Sequence, residues 1–378
     1  MIVSIFSECL LPVVNGVSIS ILTLARFLRV QGDEVWIFAP AYQGYQETDP
    51  FTVRVPSFKI PKQPDYPLAI PLSVQAGRTL REHPPEVVHV NSPFTMARFG
   101  ARVARKRRVP LVVTYHTLLR EYAHYAPLVG ARIAPLLVRI SRDFCNRADA
   151  VIAPSEPIGD ELRNYGVTTP IHVIPTGIPP DKKPSEDPSW VRRQWNVPAD
   201  GPLLIYVGRL AKEKRIEVLL NAFTLVAKEI PEAVLLVVGG GPYEQQVRDL
   251  VSSLGLEGKV RLAGFQQPEK IMDYLAASDI FVTASDTETQ GLNLVEAMRA
   301  GVPAVAIDAY GTGETVRKTG GGLLSPLDAQ AFAEQALRLL RDPELRKELA
   351  AKGKAGAEQF TSDKCAAKVR ALYASLVR

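Results

Sequence analysis

The sequence predicts an α/β protein made of two Rossmann-like, doubly wound, mostly parallel sheets in tandem. Three observations carry that expectation. Short β-branched runs alternate with helix-period segments through both halves of the chain, the pattern of repeated βαβ units. A proline-rich polar stretch interrupts the alternation near the middle. Finally, 378 residues is too long for one ordinary core and suits two domains of under about 200 residues each.

In the first half, strands are expected at Ile2–Phe6, Glu34–Ala39, Thr52–Val55, Glu86–Val90, Leu111–Tyr115, Ala150–Ala153 and Ile171–Ile174, with helices between them. The loop Pro12–Val17 leads into the first helix, which runs to about Gln31. Pro179, Pro180, Pro184, Pro188 and Pro198 then crowd a polar segment, read as an interdomain linker over 176–200. The alternation restarts with strands at Leu203–Val207, Ala233–Val238, Val260–Ala263, Ile280–Thr283 and Pro303–Ile307, and a short one within Gly320–Leu324. Helical patterns follow over Asp328–Arg341, Pro343–Gln359 and Ser362–Val377. The expected domains are therefore 1–175 and 201–361, with the last helix, 362–378, packing back on the first domain. Two such domains leave a cleft between the C-terminal ends of their sheets.

Composition narrows the function classes. Cys9, Cys145 and Cys365 are far apart and lack metal-ligand spacing, which suits buried thiols in a reducing cytoplasm. The N-terminus is apolar but has no basic leader or small-residue cleavage site, and reads as a strand. No apolar run approaches a membrane span. Charge is unevenly placed: residues 98–147 hold eleven Lys/Arg against Glu121 and Asp143, so the rest of the chain is net acidic. Such a patch implies an anionic partner, and no nucleic-acid module accompanies it.

The most informative stretch is 284–303, ASDTETQGLNLVEAMRAGVP. An apolar strand runs into a loop carrying Glu288, Gly291 opens a helix carrying Glu296 about two turns on, and Gly301-Val302-Pro303 ends it. A carboxylate at a strand's C-terminal edge beside free N–H groups of a helix start suits an anionic ligand; with Glu296 in reach of a ribose, the stretch reads as a nucleotide-sugar site. Gly208-Arg209 and Lys214 sit at another strand-to-helix turn, where both cations can face a diphosphate; the plain alternative is a solvated basic helix start. Gly239-Gly240-Gly241-Pro242 is either a tight turn or a ligand contact. Gly264 ends a strand where a flat base could approach the backbone. Asn15-Gly16-Val17 lies at the first β-to-α turn, and Tyr115-His116 just past another strand; glycine there permits close backbone approach, and the histidine can hydrogen-bond a ligand. Residues 122–148 alternate Tyr125, Leu128, Val129, Ile133, Leu136, Leu137 and Ile140 with Arg132, Arg139, Arg142 and Arg147, either an anionic-membrane face or a core-facing helix with a basic outer side.

Glu288-x7-Glu296, Gly208-Arg209-x4-Lys214, Asn15-Gly16-Val17 and Tyr115-His116, taken in order, resemble the retaining glycosyltransferases of family 4, with the GT-B fold. The resemblance covers nearly the whole chain. It implies a nucleotide-diphosphate sugar held mainly by the C-terminal domain, an acceptor on the N-terminal domain and no metal. By that resemblance Arg209 and Lys214 hold the diphosphate, Glu288 the donor sugar and Glu296 the ribose. N–H groups around Gly291 and Leu292 add contacts, Gly16 lets its loop approach the phosphates, and His116 meets the sugar near the reacting carbon. Two departures stand out: Thr289-Gln290 replace a common Gly-Phe, and Asn15 replaces the first of a Gly-Gly pair. The Thr-Glu-Thr-Gln-Gly-Leu form looks similar to the branch that glycosylates diacylglycerol or related lipids; phosphatidylinositol mannosyltransferases look similar too. The resemblance thus implies UDP-glucose as donor and a lipid acceptor. The enzyme would be cytoplasmic and attached to the anionic inner face of the cell membrane through Tyr122, Tyr125, Arg105, Lys106, Arg107, Arg108, Arg132, Arg139 and Arg142. Soluble sugar acceptors, or a nucleotide-sugar-binding protein without catalysis, are the rival expectations.

Overall fold

The computed structural model of the protein describes residues 1–60, 63–118, 120, 130–198 and 201–377. It divides into two units, residues 1–179 with the C-terminal helix from Ser362, and Pro180–Thr361.

The first unit carries β1 (Ile2–Phe6), β2 (Glu34–Pro40), β3 (Thr52–Val55), β4 (Ser57–Ile60), β5 (Gln63–Ala69), β6 (Val87–Val90), β7 (Leu111–Thr114), β8 (Ala150–Ala153) and β9 (Ile171–Val173). Seven strands form one sheet in the order β3-β2-β1-β6-β7-β8-β9, with every pairing parallel. β6, β7 and β8 are buried along their whole length, which is why they read as unbroken apolar runs rather than alternating ones. β2 lies on one side of β1 and β6 on the other, so the crevice at the C-terminal ends of β1 and β6 is this sheet's switch point. β4 and β5 form a separate antiparallel hairpin that the sequence reading did not foresee: Pro61, Pro64 and Pro67 obscure its strand pattern.

The helix Ser362–Leu376 belongs to this unit. Val369, Leu372 and Tyr373 enter the same core as Val3, Ile5 and Val35. Tyr373 Oη lies 2.6 Å from His89 Nδ1, and His89 Nε2 lies 2.6 Å from Thr114 Oγ1, joining β6, β7 and the helix. Gly177 permits the approach: a Cβ there would lie 2.3 Å from Ser362 Cα.

The second unit carries β10 (Leu203–Val207), β11 (Val234–Val238), β12 (Val260–Gly264), β13 (Ile280–Thr283), β14 (Ala304–Ile307) and β15 (Gly322–Ser325). They form one parallel sheet in the order β12-β11-β10-β13-β14-β15, with its switch point between β10 and β13. Of the expected linker 176–200, residues 180–198 do not stand apart. From Pro180 the chain is already part of this unit. Ser185 N and Oγ donate to Asp273 at 2.6 and 2.9 Å, Trp190 Nε1 donates to it at 2.8 Å, and Arg192 pairs with Asp279 at 2.7 Å. The prolines shape turns in a docked segment instead of freeing it.

Replacing Tyr373 by alanine removes a buried aromatic and leaves His89 Nδ1 without its partner. Denaturant unfolding of Tyr373→Ala should show a loss of about 3–5 kcal/mol in the first unit; an unchanged midpoint would mean the helix adds nothing to that core.

Candidate functional site

In the second unit the loops leaving β10 and β13 emerge side by side at the switch point. The first is laid along the loop after β11: Gly208 N donates to Val238 O and Leu210 N to Gly240 O, both at 2.9 Å. Gly239 (φ 132°) and Gly241 (φ 156°) make this possible. A Cβ on Gly239 would lie 1.9 Å from Gly208 O, and one on Gly241 2.3 Å from Leu210 O. The glycine run is therefore the bed on which the Arg209 loop rests. Tyr206, fully buried, donates its hydroxyl to Arg209 O at 3.1 Å, and burial pushes that phenol's pKa up, so it stays protonated. A 3₁₀ turn, Lys212–Lys214, precedes Arg215 in the left-handed region (φ 51°) and then the helix Ile216–Glu229.

The β13 loop is joined to the first by charge. Lys214 Nζ lies 2.6 Å from Glu288 Oε1, Arg215 pairs with Asp286 at 3.0 Å, and Arg209 Nη2 reaches the buried Glu213 at 3.2 Å. Ser285 Oγ also donates to Glu213 O at 3.4 Å. Thr289-Gln290 pack beneath the helix Tyr310–Thr319: Gly311 N donates to Glu288 O at 3.0 Å and Thr315 Oγ1 to Gln290 O at 2.9 Å. A Cβ on Gly311 would come within 2.4 Å of this backbone. Gly291 (φ 81°) starts the helix Leu292–Arg299, whose first N–H groups, at Leu292 and Asn293, have no intrahelical partner. Asn293 Nδ2 returns to Val207 O at 2.8 Å, joining this helix to β10.

Glu296 is the fifth residue of that helix, a little more than one turn along rather than two. Its carboxylate is nearly buried and is met by Lys182 Nζ at 2.5 Å. Sequence reasoning missed Lys182, because it falls in the stretch taken for a linker. Gly264 ends β12 with φ 64° and accepts from Gly239 N at 2.8 Å, so the residue type answers a backbone need.

In the first unit, Asn15 caps the helix Gly16–Val30 reciprocally: its side chain accepts from Ser18 N at 2.9 Å and its N–H donates to Ser18 Oγ at 3.0 Å. That accounts for Asn where glycine is common, since Asn is a strong N-cap. Gly16 opens the helix and is exposed. His116 Nε2 lies 2.9 Å from Asn91 Oδ1; Asn91 Nδ2 donates to Phe6 O at 3.4 Å, so Oδ1 accepts and His116 Nε2–H donates. Burial pushes the His116 pKa down to about 4 and, with the nearby His116 adding to burial, that of His89 to about 3. Both rings are neutral at ordinary pH. Glu8, absent from the sequence expectations, caps the helix Thr95–Arg107: it accepts from Met96 N at 2.7 Å, Ala97 N at 3.2 Å and Thr95 Oγ1 at 3.1 Å.

Arg105, Lys106, Arg107 and Arg108 crowd the C-terminal end of that helix and are exposed, where cations also complement the helix dipole. Arg107 donates to Leu80 O at 2.7 Å. On the helix Gly130–Cys145, Arg139 and Arg142 share Asp143, at 3.6 and 2.7 Å. Leu136 on this helix is exposed. Tyr122 and Tyr125 lie outside the described residues, as does the side chain of Arg132. Among the described residues no helix is long and apolar enough to cross a membrane, and no three His, Cys, Asp or Glu side chains cluster as metal ligands.

Comparison with known proteins bears on both units. Residues 14–182 match the family described as "Glycosyltransferase Family 4", and residues 190–356 match "Glycosyl transferases group 1". The alpha-monoglucosyldiacylglycerol synthase of Acholeplasma laidlawii is 31% identical over 317 residues, 80% of this chain and 79% of its own. The GDP-mannose-dependent alpha-mannosyltransferase of Corynebacterium glutamicum is 29% identical over 343 residues, 88% of this chain and 78% of its own. Among solved structures, Anabaena HepE in complex with UDP and glucose superposes with a TM-score of 0.81 at 22% identity, covering 100% of both chains, a likeness of fold.

Gly239→Ala should force the β10 loop off its bed. Thermal unfolding should show a loss of about 2–4 kcal/mol in the second unit, with proteolysis appearing first around Arg209; wild-type stability would contradict the packing role of the glycine.

Proposed function

The chain belongs to glycosyltransferase family 4, and from that membership we propose that it moves glucose from UDP-glucose to a hydroxyl of a membrane lipid of the diacylglycerol class, with retention at the sugar. One observation carries the reading of the donor side. Arg209, Lys214 and Glu288 come together at the switch point of a parallel sheet, beside the start of the helix bearing Glu296. The Acholeplasma relative's name supports a lipid acceptor, and the UDP and glucose of the HepE complex support the donor. The Corynebacterium relative supports a second reading, mannosyl transfer from GDP-mannose.

In this reading the diphosphate takes Arg209, Lys214 and the N–H groups around Gly291 and Leu292, with Gly16 allowing its loop a close approach. Glu288 takes the sugar hydroxyls, Glu296 takes the ribose, and Gly264 borders the base. His116 meets the sugar as a neutral ring, which avoids placing a cation against a developing oxocarbenium. The acceptor oxygen bonds to the anomeric carbon on the face from which the phosphate oxygen departs, and the hydroxyl proton passes to that oxygen. Products are the glycolipid and the nucleoside diphosphate. The chain's own work is charge stabilisation of the leaving group and positioning. The two cations serve in place of a divalent metal, so activity should survive a chelator. The exposed Arg105, Lys106, Arg107 and Arg108 hold the enzyme on the anionic inner leaflet from the cytoplasm, and Arg139 and Arg142 add positive charge in the same half of the chain.

Lys214→Ala and Glu288→Ala should each lower kcat about 10²–10³-fold with UDP-glucose and diacylglycerol, and NMR of the product should show the donor's anomeric configuration. Unchanged turnover in both variants would defeat the donor assignment. Reversing Arg105–Arg108 to glutamate should abolish sedimentation with anionic vesicles at low salt; persistent binding and lipid activity would defeat the membrane part.

A further inference from the structure

Lys182 has no role in the transfer described above, yet it makes the contact to Glu296. Its ammonium lies 2.5 Å from Oε1, with 25% of the lysine side chain and 9% of the glutamate side chain exposed. Among the described residues no hydrogen bond reaches Oε2. The helix around Glu296 is buried from Leu294 to Met298, so the carboxylate has little water to orient it.

The lysine does not arrive there by chance. Arg299 Nη2, on the same helix and about one turn beyond Glu296, donates to Pro180 O at 3.2 Å. On the other side Ser185 is fixed by two hydrogen bonds to Asp273. The backbone carrying Lys182 is thus anchored before and after it by bonds that do not involve the ion pair.

We propose that Lys182 is a positioning residue for the ribose: it fixes Glu296 through Oε1 and leaves Oε2 aimed at the ribose hydroxyls of the donor. This rests on the reading of Glu296 as the ribose carboxylate. A carboxylate that recognises a diol must be held in one rotamer, and a charge-assisted bond to one oxygen does that. A site built in this way discriminates sharply against a donor lacking the hydroxyl, because a partly buried carboxylate oxygen is then left unpaired.

The test compares UDP-glucose with its 2′-deoxyribose analogue in wild type, Lys182→Met, Lys182→Arg and Glu296→Ala, with thermal unfolding as the folding control. Lys182→Met should raise the KM for UDP-glucose about tenfold, leave kcat within about threefold and shrink the ribose-to-deoxyribose preference about tenfold or more; Lys182→Arg should restore most of that preference. Glu296→Ala should lose the preference as well. If Glu296→Ala loses it while Lys182→Met keeps it, the inference about Lys182 falls and the ribose reading stands. If Glu296→Ala keeps it, the ribose reading itself falls, and the inference with it. A Lys182→Met variant that binds UDP-glucose more tightly than wild type would make the lysine a competitor of the ribose and overturn the proposal.

Discussion

The ion pair between Lys214 and Glu288 is the constraint around which the second unit is organised. It joins the loops that leave β10 and β13, the two strands flanking the switch point. A half-buried pair of this kind adds little net stability, since desolvation offsets much of its attraction. Its value lies in placement. Glycine at 239 and 241 lets the cationic loop lie against its neighbour, and Gly311 lets the Thr289-Gln290 backbone settle under the next helix. Asp286 and Glu213 take the adjacent arginines. The cations are therefore held before any ligand arrives, which is what electrostatic preorganisation requires.

The first unit solves a different problem. Its switch-point edge is lined with groups kept neutral or satisfied internally: His116 by burial and Asn91, Glu8 by the helix start it caps, Asn15 by its own capping box. The C-terminal helix completes this unit's core through Tyr373 and so stabilises, through His89, the strands that carry the Asn91 and His116 loops.

Much of this was legible in the sequence. Doubly buried parallel strands announce themselves as apolar runs such as VVHV and LLIYV, and the Glu288, Glu296, Arg209 and Lys214 motifs stand at strand-to-helix turns where open sheets bind ligands. What stayed hidden depends on contacts between distant residues. Lys182 and Glu8 look like ordinary charges until the fold brings them to Glu296 and to the helix at Thr95, 114 and 87 positions away. The proline segment reads as a linker by composition, yet Asp273 and Asp279 dock it. The hairpin of β4 and β5 was lost for the converse reason, since its prolines break the pattern that marks a strand. The triple glycine could not be assigned because its reason is the backbone of Gly208 and Leu210, not its own neighbours in sequence.

In the proposed function the side chains gathered at the β10–β13 edge hold a diphosphate. Calorimetric titration of UDP and UMP against wild type and Lys214→Ala tests it most directly. Wild type should bind UDP at least about tenfold more tightly than UMP, a difference of about 1.4 kcal/mol, and Lys214→Ala should remove most of that difference while changing UMP affinity little. Equal affinity for the two nucleotides in wild type, or an undiminished preference for UDP without Lys214, would contradict it.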